Sequence, residues 1–314
     1  MSRRLTLIEL LLVVFILAAV AASAATLTDQ VDVQARYDLT ASRRAQVRRA
    51  ILGDEEQAIS GFVADMGRLP SGLDELLQPG SLKTWEFDTN YGAGAGWRGP
   101  YLSAQFKGGQ AVFRDGWGND WQLWPAAGGA GQGEKLDLVS LGRDGLAITS
   151  SELADQDYPT YPTGYDREAS DHLVLVPEAS WRVEVPTWTI AVTLRNESGA
   201  TFDAPLRLRL NVPSVGAAVD WSSTSVTSAA ADPGVLFAGD GTIAAGIPPG
   251  ESREVAFTFA LTDPIPVGSW TLQVIDSTGP SLVGPSQPSL PVVIRARAAL
   301  PTRVPPSSAW IVAP

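Results

Sequence analysis

Cysteine is absent from the 314 residues, and histidine occurs once, at His172. Disulfides, thiolate metal sites and cysteine nucleophiles are excluded, and there is no material for a His-based triad or a His metal cluster. The fold must be held by packing. His172 has no Cys or Ser motif to act with and reads as a strand residue. Charged residues make up only 18% of the chain, and the net charge is −11, which disfavours a nucleic-acid partner. Acidic loops suit hard cations such as Ca²⁺ instead. Neither glycine nor proline occurs before Gly53, and the first proline is Pro70, so nothing stops a helix early in the chain. What is plentiful is tryptophan, ten residues, several of them in Gly-rich turns. The length suggests about two domains.

The N-terminus opens with Arg3-Arg4 and then turns apolar from Leu5 to Leu27, with one carboxylate, Glu9, inside the run. As a helix, this stretch is long enough to span a bilayer core of about 30 Å. A carboxylate at that depth costs roughly 2.5 kcal/mol or more unless partnered, which marks Glu9 as a functional candidate. Arg3 and Arg4 precede the span, and Asp29 and Asp32 are the first charges after it. That asymmetry places the N-terminus in the cytoplasm and the remainder across the membrane. An ordinary signal peptide ending at Ala21-Ala22-Ser23-Ala24-Ala25 is the alternative, but it leaves Glu9 unexplained. The helix is expected to continue to Met66. Val33, Tyr37, Leu39, Val47, Ile51, Ala58, Ile59 and Phe62 give its rear half an apolar side. Arg36, Arg43, Arg44, Arg48 and Arg49, followed by Asp54, Glu55 and Glu56, read either as a solvated face or as ion pairs between subunits.

Four segments follow in order. Gly67-Arg68-Leu69-Pro70 stops the helix, and Ser71 is placed to cap a short second helix with Leu76 and Leu77. Trp97-Arg98-Gly99-Pro100-Tyr101-Leu102 is a loop. Asp115-Gly116-Trp117-Gly118-Asn119-Asp120-Trp121 has tight-turn chemistry. Leu136 to Leu141 alternates as a strand and leads into Gly142-Arg143-Asp144-Gly145. Such a small antiparallel sheet needs the long helix as its second layer. Asp144, Asp155 and Asp157 then place three carboxylates in one irregular loop, which reads either as a Ca²⁺ site or as a solvated acidic loop.

Leu5-Thr6-Leu7-Ile8-Glu9-Leu10 resembles the N-terminus of type IV pilins and type II secretion pseudopilins. The four later segments are similar, in the same order, to the major pseudopilin of type II secretion, so the resemblance runs over residues 4–158. It implies a leader, residues 1–4, removed between Arg4 and Leu5 by a prepilin peptidase, and methylation of the new amine; the family carries Gly where this chain has Arg4. It implies that Glu9 pairs with a neighbouring subunit's N-terminal amine as a filament assembles from an inner-membrane platform. It also implies Ca²⁺ in the loop, with Asp144 carried over directly and Asp155 and Asp157 by approximate position.

Residues 159–171 are turn-rich and mark a linker. From 172 to 297 short alternating strands take over: His172–Val176, Trp188–Arg195, Pro205–Val212, Val235–Phe237, Arg253–Leu261, Ser269–Asp276 and Leu290–Arg295. Their spacing reads as an all-β sandwich. Trp188–Asn196, Ile247–Glu251 and Phe257–Phe259 resemble immunoglobulin-like accessory domains of bacterial surface proteins. Residues 298–314 form a Pro-rich tail in which Trp310-Ile311-Val312 is free to dock. Gly94-Ala95-Gly96-Trp97-Arg98-Gly99 fits a dinucleotide fingerprint only in letters, because Pro100 follows where a helix is required. Asn196-Glu197-Ser198 fits a glycosylation sequon without a host context.

The expected fold is α+β. A long helix with a transmembrane front (5–27 of 5–66) packs on a small antiparallel head (67–158), and a β-sandwich follows. The expected function is that of a structural subunit of a secretion pseudopilus or related filament, held in the inner membrane with its globular parts in the periplasm, rather than that of an enzyme. The alternative is a membrane-anchored binding module whose sandwich recognises a secreted substrate or surface glycan.

Overall fold

A computed structural model describes residues 7–54, 59–123, 136–142, 145, 173–221, 225–228, 246–261, 263–276, 289–296, 298–303 and 310–312. By its internal contacts the chain divides into two units. One comprises Met1–Gln46, Arg114–Gln122 and Leu138–Leu173; the other comprises Val47–Phe113, Leu123–Asp137 and Val174–Pro314. The secondary structure is mixed, one long helix followed by many short, mostly antiparallel strands, in keeping with the α+β expectation.

The long helix α1 is Leu7–Leu52, 46 residues, which is about 70 Å at 1.5 Å per residue. It stops short of the expected Met66. Gly53 takes a left-handed φ of 85°, and Gly53–Asp54 pairs antiparallel with Ile59–Ser60 before a short helix α2 resumes at Phe62–Met66. Sequence periodicity runs through this interruption because Phe62, Val63 and Met66 are buried like the helix residues before them. No helix among the described residues is long and apolar enough to cross a membrane.

In the first unit α1 changes character along its length. Every large apolar side chain described between Ile8 and Val20 is half or more exposed, from 51 to 75%. Thr40, by contrast, is 1% exposed.

In the second unit the end of α1 buries Val47, Ala50 and Ile51, and α2 buries Phe62, Val63 and Met66. A short helix α3 covers Asp74–Leu77 and buries Leu76 and Leu77. Its N-cap is Leu73, without a side-chain cap bond. Ser71 instead donates from Oγ to Glu75 Oε1 at 2.7 Å, while its backbone N–H donates to Oε2 at 3.1 Å. Expected as a cap, Ser71 serves as a partner for the first-turn carboxylate.

The strand-rich part of this unit follows the sequence reading closely. Thr187–Asn196 pairs antiparallel with Ser252–Ala260 over nine register pairs. A four-stranded antiparallel sheet runs in the order Val226–Thr227, Leu206–Asn211, Gly268–Asp276, Leu290–Ile294. Burial alternates with a period of two: Trp188, Ile190, Val192 and Leu194 on one strand, Val255, Phe257 and Phe259 on its partner, Leu206, Leu208 and Leu210 on a third. Each such side chain contributes roughly 1.5–3 kcal/mol on leaving water. The strand expected at Val235–Phe237 lies outside the described residues, as do His172 and the linker. Asn196 of the sequon is fully buried, and its Nδ2 donates to the carbonyls of Ala200 and Ile247, both at 2.7 Å. That amide is committed to the fold.

The strand-rich part and residues 47–113 interlock within this unit. Tyr91 stacks on buried Trp221 at 4.7 Å, and the Arg209 guanidinium lies 5.4 Å over the Tyr91 ring. Gln273 Nε2 donates to the Asn90 carbonyl and Thr271 Oγ1 to the Tyr91 carbonyl, both at 2.8 Å. Arg68 Nε donates to the Val215 carbonyl at 2.7 Å, and Lys83 N–H to the Gly216 carbonyl at 2.9 Å. Gly67, left-handed at φ 70° as the C-cap of α2, lies so near the Pro213 carbonyl that a Cβ would sit 1.8 Å from its oxygen. Trp221→Ala in the full chain is expected to cost about 3–5 kcal/mol, the usual range for truncating a buried Trp. Hydrogen exchange should show amide protection falling together around Tyr91 and along Gly268–Asp276. Loosening confined to the strands would refute the interlock.

Candidate functional site: an apolar helix front and two buried carboxylates

The first unit carries two features on one helix. The front of α1 is apolar on every described side, not on a stripe. A helix that is apolar all round calls for an apolar environment, and exposed apolar surface of this extent marks an association or membrane site. Glu9 lies on this front.

Further along, α1 meets the turn at Asp115–Asn119. Asp115 is 1% exposed. Its Oδ1 accepts from the N–H groups of Trp117 at 3.0 Å and Asn119 at 2.8 Å, and its Oδ2 accepts from Ser140 Oγ at 2.6 Å. Three donors on one carboxylate replace the water that it gives up. The turn so shaped aims its backbone at the helix. Arg43 Nη1 donates to the carbonyls of Arg114 and Asp115, both at 2.7 Å. Thr40 Oγ1 donates back to the Arg36 carbonyl and accepts from the Gly116 N–H, both at 2.9 Å. Gly116 is required by space: a Cβ there would meet the Arg36 carbonyl oxygen at 2.0 Å. Arg36 itself pairs with Asp32 at 2.8 Å and lies 5.8 Å over the Trp117 ring. Asn119 Nδ2 donates to the Gly142 carbonyl at 2.5 Å and so holds the start of the acidic loop.

The second unit holds the other buried carboxylate, Asp65, 4% exposed. Tyr101 Oη donates to its Oδ2 at 3.0 Å, and Arg98 stands 3.6 Å from its Oδ1. Burial raises its pKa, outweighing the Arg98 charge and the Tyr101 and Ser60 hydrogen bonds. Burial, with Asp65 adding to it, also raises the Tyr101 phenol. Nearby, Arg68 forms a fork on Glu75 at 2.9 and 3.2 Å. Burial pushes Glu75 up, but the bonds from Arg68 and Ser71 and the Arg68 charge prevail and hold its carboxyl below the usual value.

Of the residues singled out in the sequence, Glu9 is placed on α1, and its side chain is not among those described. Arg4, Leu5, Asp144, Asp155 and Asp157 lie outside the described residues. Among the described residues no group of three or more His, Cys, Asp or Glu side chains is placed to hold a metal. The sequence reading picked out the Asp115 turn but missed Thr40 and Arg43 as its partners. Local sequence carries no signal for contacts more than seventy positions apart.

Comparison with known proteins bears on this arrangement. Residues 38–157 match the family model described as "Type II secretion system (T2SS), protein G". This stretch contains Thr40, Arg43, Asp65, Tyr101, Asp115 and Ser140. The chain is also similar to the type II secretion system core protein G of Xanthomonas campestris pv. campestris, 33% identical over 100 residues. That match covers 32% of this chain and 55% of the relative, so the chain spans about half the length of the curated relative it matches. No solved structure matches the chain.

Two predictions follow from the carboxylates. Asp115→Ala strands two backbone donors and a serine hydroxyl in the interior, and is expected to cost about 3 kcal/mol in a denaturant melt, within the range for orphaned buried donors. A change under half that size would mean that the turn is held by other contacts. The second concerns pH. The folded pKa of Asp65 lies above its ordinary 3.8, so its contribution favours folding below 3.8 and is lost as pH rises through the raised value. Glu75 has the opposite sign: its contribution is present above its ordinary 4.5 and is lost as pH falls through the depressed folded value. Asp65→Asn should therefore remove a loss of stability on going from acid to neutrality, and Glu75→Gln should reduce the loss on acidification below 4.5. Unchanged pH profiles would refute both assignments.

Proposed function

We propose that this chain is a structural subunit of a type II secretion pseudopilus or related pilus-like filament, and not an enzyme. The observation that carries the reading is the exposed apolar front of α1, joined to a segment that matches the protein G model from residue 38 onward. A filament interior or a bilayer buries such a front. The apolar run from Leu5 to Leu27, longer than the part whose side chains are described, supports a single span of the inner membrane before assembly. The basic start of the chain supports a cytoplasmic N-terminus with the globular parts periplasmic.

In this reading a prepilin peptidase cuts between Arg4 and Leu5. Glu9 then pairs with the N-terminal amine of a neighbouring subunit, which repays the cost of a carboxylate in an apolar setting. Filament subunits and an inner-membrane assembly platform are the partners. The strand-rich part is an immunoglobulin-like β-sandwich. A second reading makes that sandwich a binding module for a secreted substrate or surface glycan, with the helix as its anchor.

Ca²⁺ belongs to the same proposal. Asp144, Asp155 and Asp157 are hard oxygen donors of the kind this ion takes, and the loop that carries them starts at a carbonyl already pinned by Asn119. These three carboxylates would hold the ion, which would supply the positive charge to gather them.

Glu9→Ala is expected to abolish filaments while the protein stays in the membrane fraction; wild-type assembly would overturn the filament reading in favour of the anchored module. Intact mass from the native membrane should show a chain beginning at methylated Leu5, whereas a start at Met1 would sink the processing step. Chelation should lower the melting temperature of the full chain. No shift would remove Ca²⁺ from the proposal.

A further inference from the structure

The strand Thr187–Asn196 is paired along one side by Ser252–Ala260. On its other side the described neighbour is the C-terminal segment. The Ala191 N–H donates to the Thr302 carbonyl at 2.9 Å, and Trp188 Nε1 donates to the Pro301 carbonyl at 2.8 Å. A parallel bridge joins Ala191 to Arg303. Leu194, Arg195 and Asn196 then pair in parallel with Trp310, Ile311 and Val312. Arg303 Nη2 meets Glu254 Oε1 at 2.7 Å, with both side chains substantially exposed.

This is a light hold. Parallel pairing is slightly weaker per residue than antiparallel, the run is short, and an exposed ion pair adds little. When the segment lifts, the edge offers unpaired N–H and C=O groups from Ala191 to Asn196, and such an edge captures an extended strand. The segment that fits it in register is already known, because it is the chain's own tail, and every second copy carries it unchanged. Exchange of an identical element between copies costs little, since the same contacts form. Passed from each copy to the next without return, it yields an open chain instead of a closed dimer.

We propose that the edge of Thr187–Asn196 is a strand-acceptor site and that the C-terminal segment exchanges between copies, with Thr302–Arg303 and Trp310–Val312 taking the same places beside that strand in a neighbour. The proposal rests on the assembly reading to the extent that copies must meet.

The absence of cysteine gives a test free of background. Arg195 and Ile311 are register partners. Two full-length variants, Arg195→Cys and Ile311→Cys, are mixed in detergent at increasing concentration and oxidised. The control mixes Arg195→Cys with Thr302→Cys, which the register holds apart. Exchange predicts a disulfide-linked dimer from the first mixture, several-fold above the control and rising with concentration. Equal yields from both mixtures, or no dimer while the doubly substituted Arg195→Cys/Ile311→Cys chain closes only on itself, overturn the exchange. Electron microscopy of the same samples separates the two readings. Filaments without the register-specific dimer defeat the exchange and leave assembly standing; the dimer without filaments supports the exchange and counts against assembly through α1.

Discussion

A carboxylate taken out of water must be met by donors, and at Asp115 that requirement shapes everything around it. Two backbone N–H groups and the Ser140 hydroxyl converge on the side chain, so the chain turns within five residues and ties a turn to the end of a strand. The carbonyls of Arg114 and Asp115 are thereby turned toward Arg43, and the Gly116 N–H toward Thr40. Helix, turn and strand end are joined through one buried charge. In a chain without cysteine, such a polar knot takes the place of a covalent tie, and its strength depends on every donor being present.

Asp65 meets the same requirement less completely. Its hydrogen bond at 3.0 Å comes from a neutral phenol, and the Arg98 charge, which opposes burial most, stands off at 3.6 Å, so burial prevails and the proton is held more tightly. Glu75 has a guanidinium fork and a serine, and there the balance reverses. Burial alone does not decide the sign for a carboxylate; the number and charge of its donors do. Arg68 also shows how such pairs extend a fold, since the guanidinium that serves Glu75 reaches the Val215 carbonyl as well.

Much of the fold was legible in the sequence where a period repeats. Alternation located the strands Thr187–Asn196, Ser252–Ala260 and Gly268–Asp276 to within a residue or two, although only the first two alternate in burial; Trp270 to Ile275 are buried on both faces. Helical spacing found α1 but carried it past its end: Phe62 and Met66 keep the apolar rhythm although Gly53 has already turned the chain. Local spacing marks Ser71 as a cap, whereas its partner Glu75 answers to Arg68. Thr40 and Arg43 were invisible as partners of Asp115, more than seventy positions away. Nothing local distinguishes an Arg that serves two carbonyls from one on a solvated face. The docking of Trp310–Val312 was likewise beyond local reading, since a three-residue strand is defined by the edge it joins.

The packing of the strand-rich part bears on which reading of the molecule is favoured. A recognition module on a tether needs a junction that moves, and its contacts with the body that carries it are expected to be sparse and polar. Here the contacts are made through the backbone: the carbonyls of Asn90 and Tyr91 accept from Gln273 and Thr271, and those of Val215 and Gly216 accept from Arg68 and Lys83. At Gly67 the two surfaces approach too closely for any side chain. Carbonyls are fixed by the fold on both sides, so sliding one surface over the other breaks several part-buried bonds at once. The Tyr91–Trp221 stack closes the same seam with apolar area. Residues 47–113 thus hold the strands as part of their own fold, and the strand-rich part is not free to move on them as a tethered domain would be.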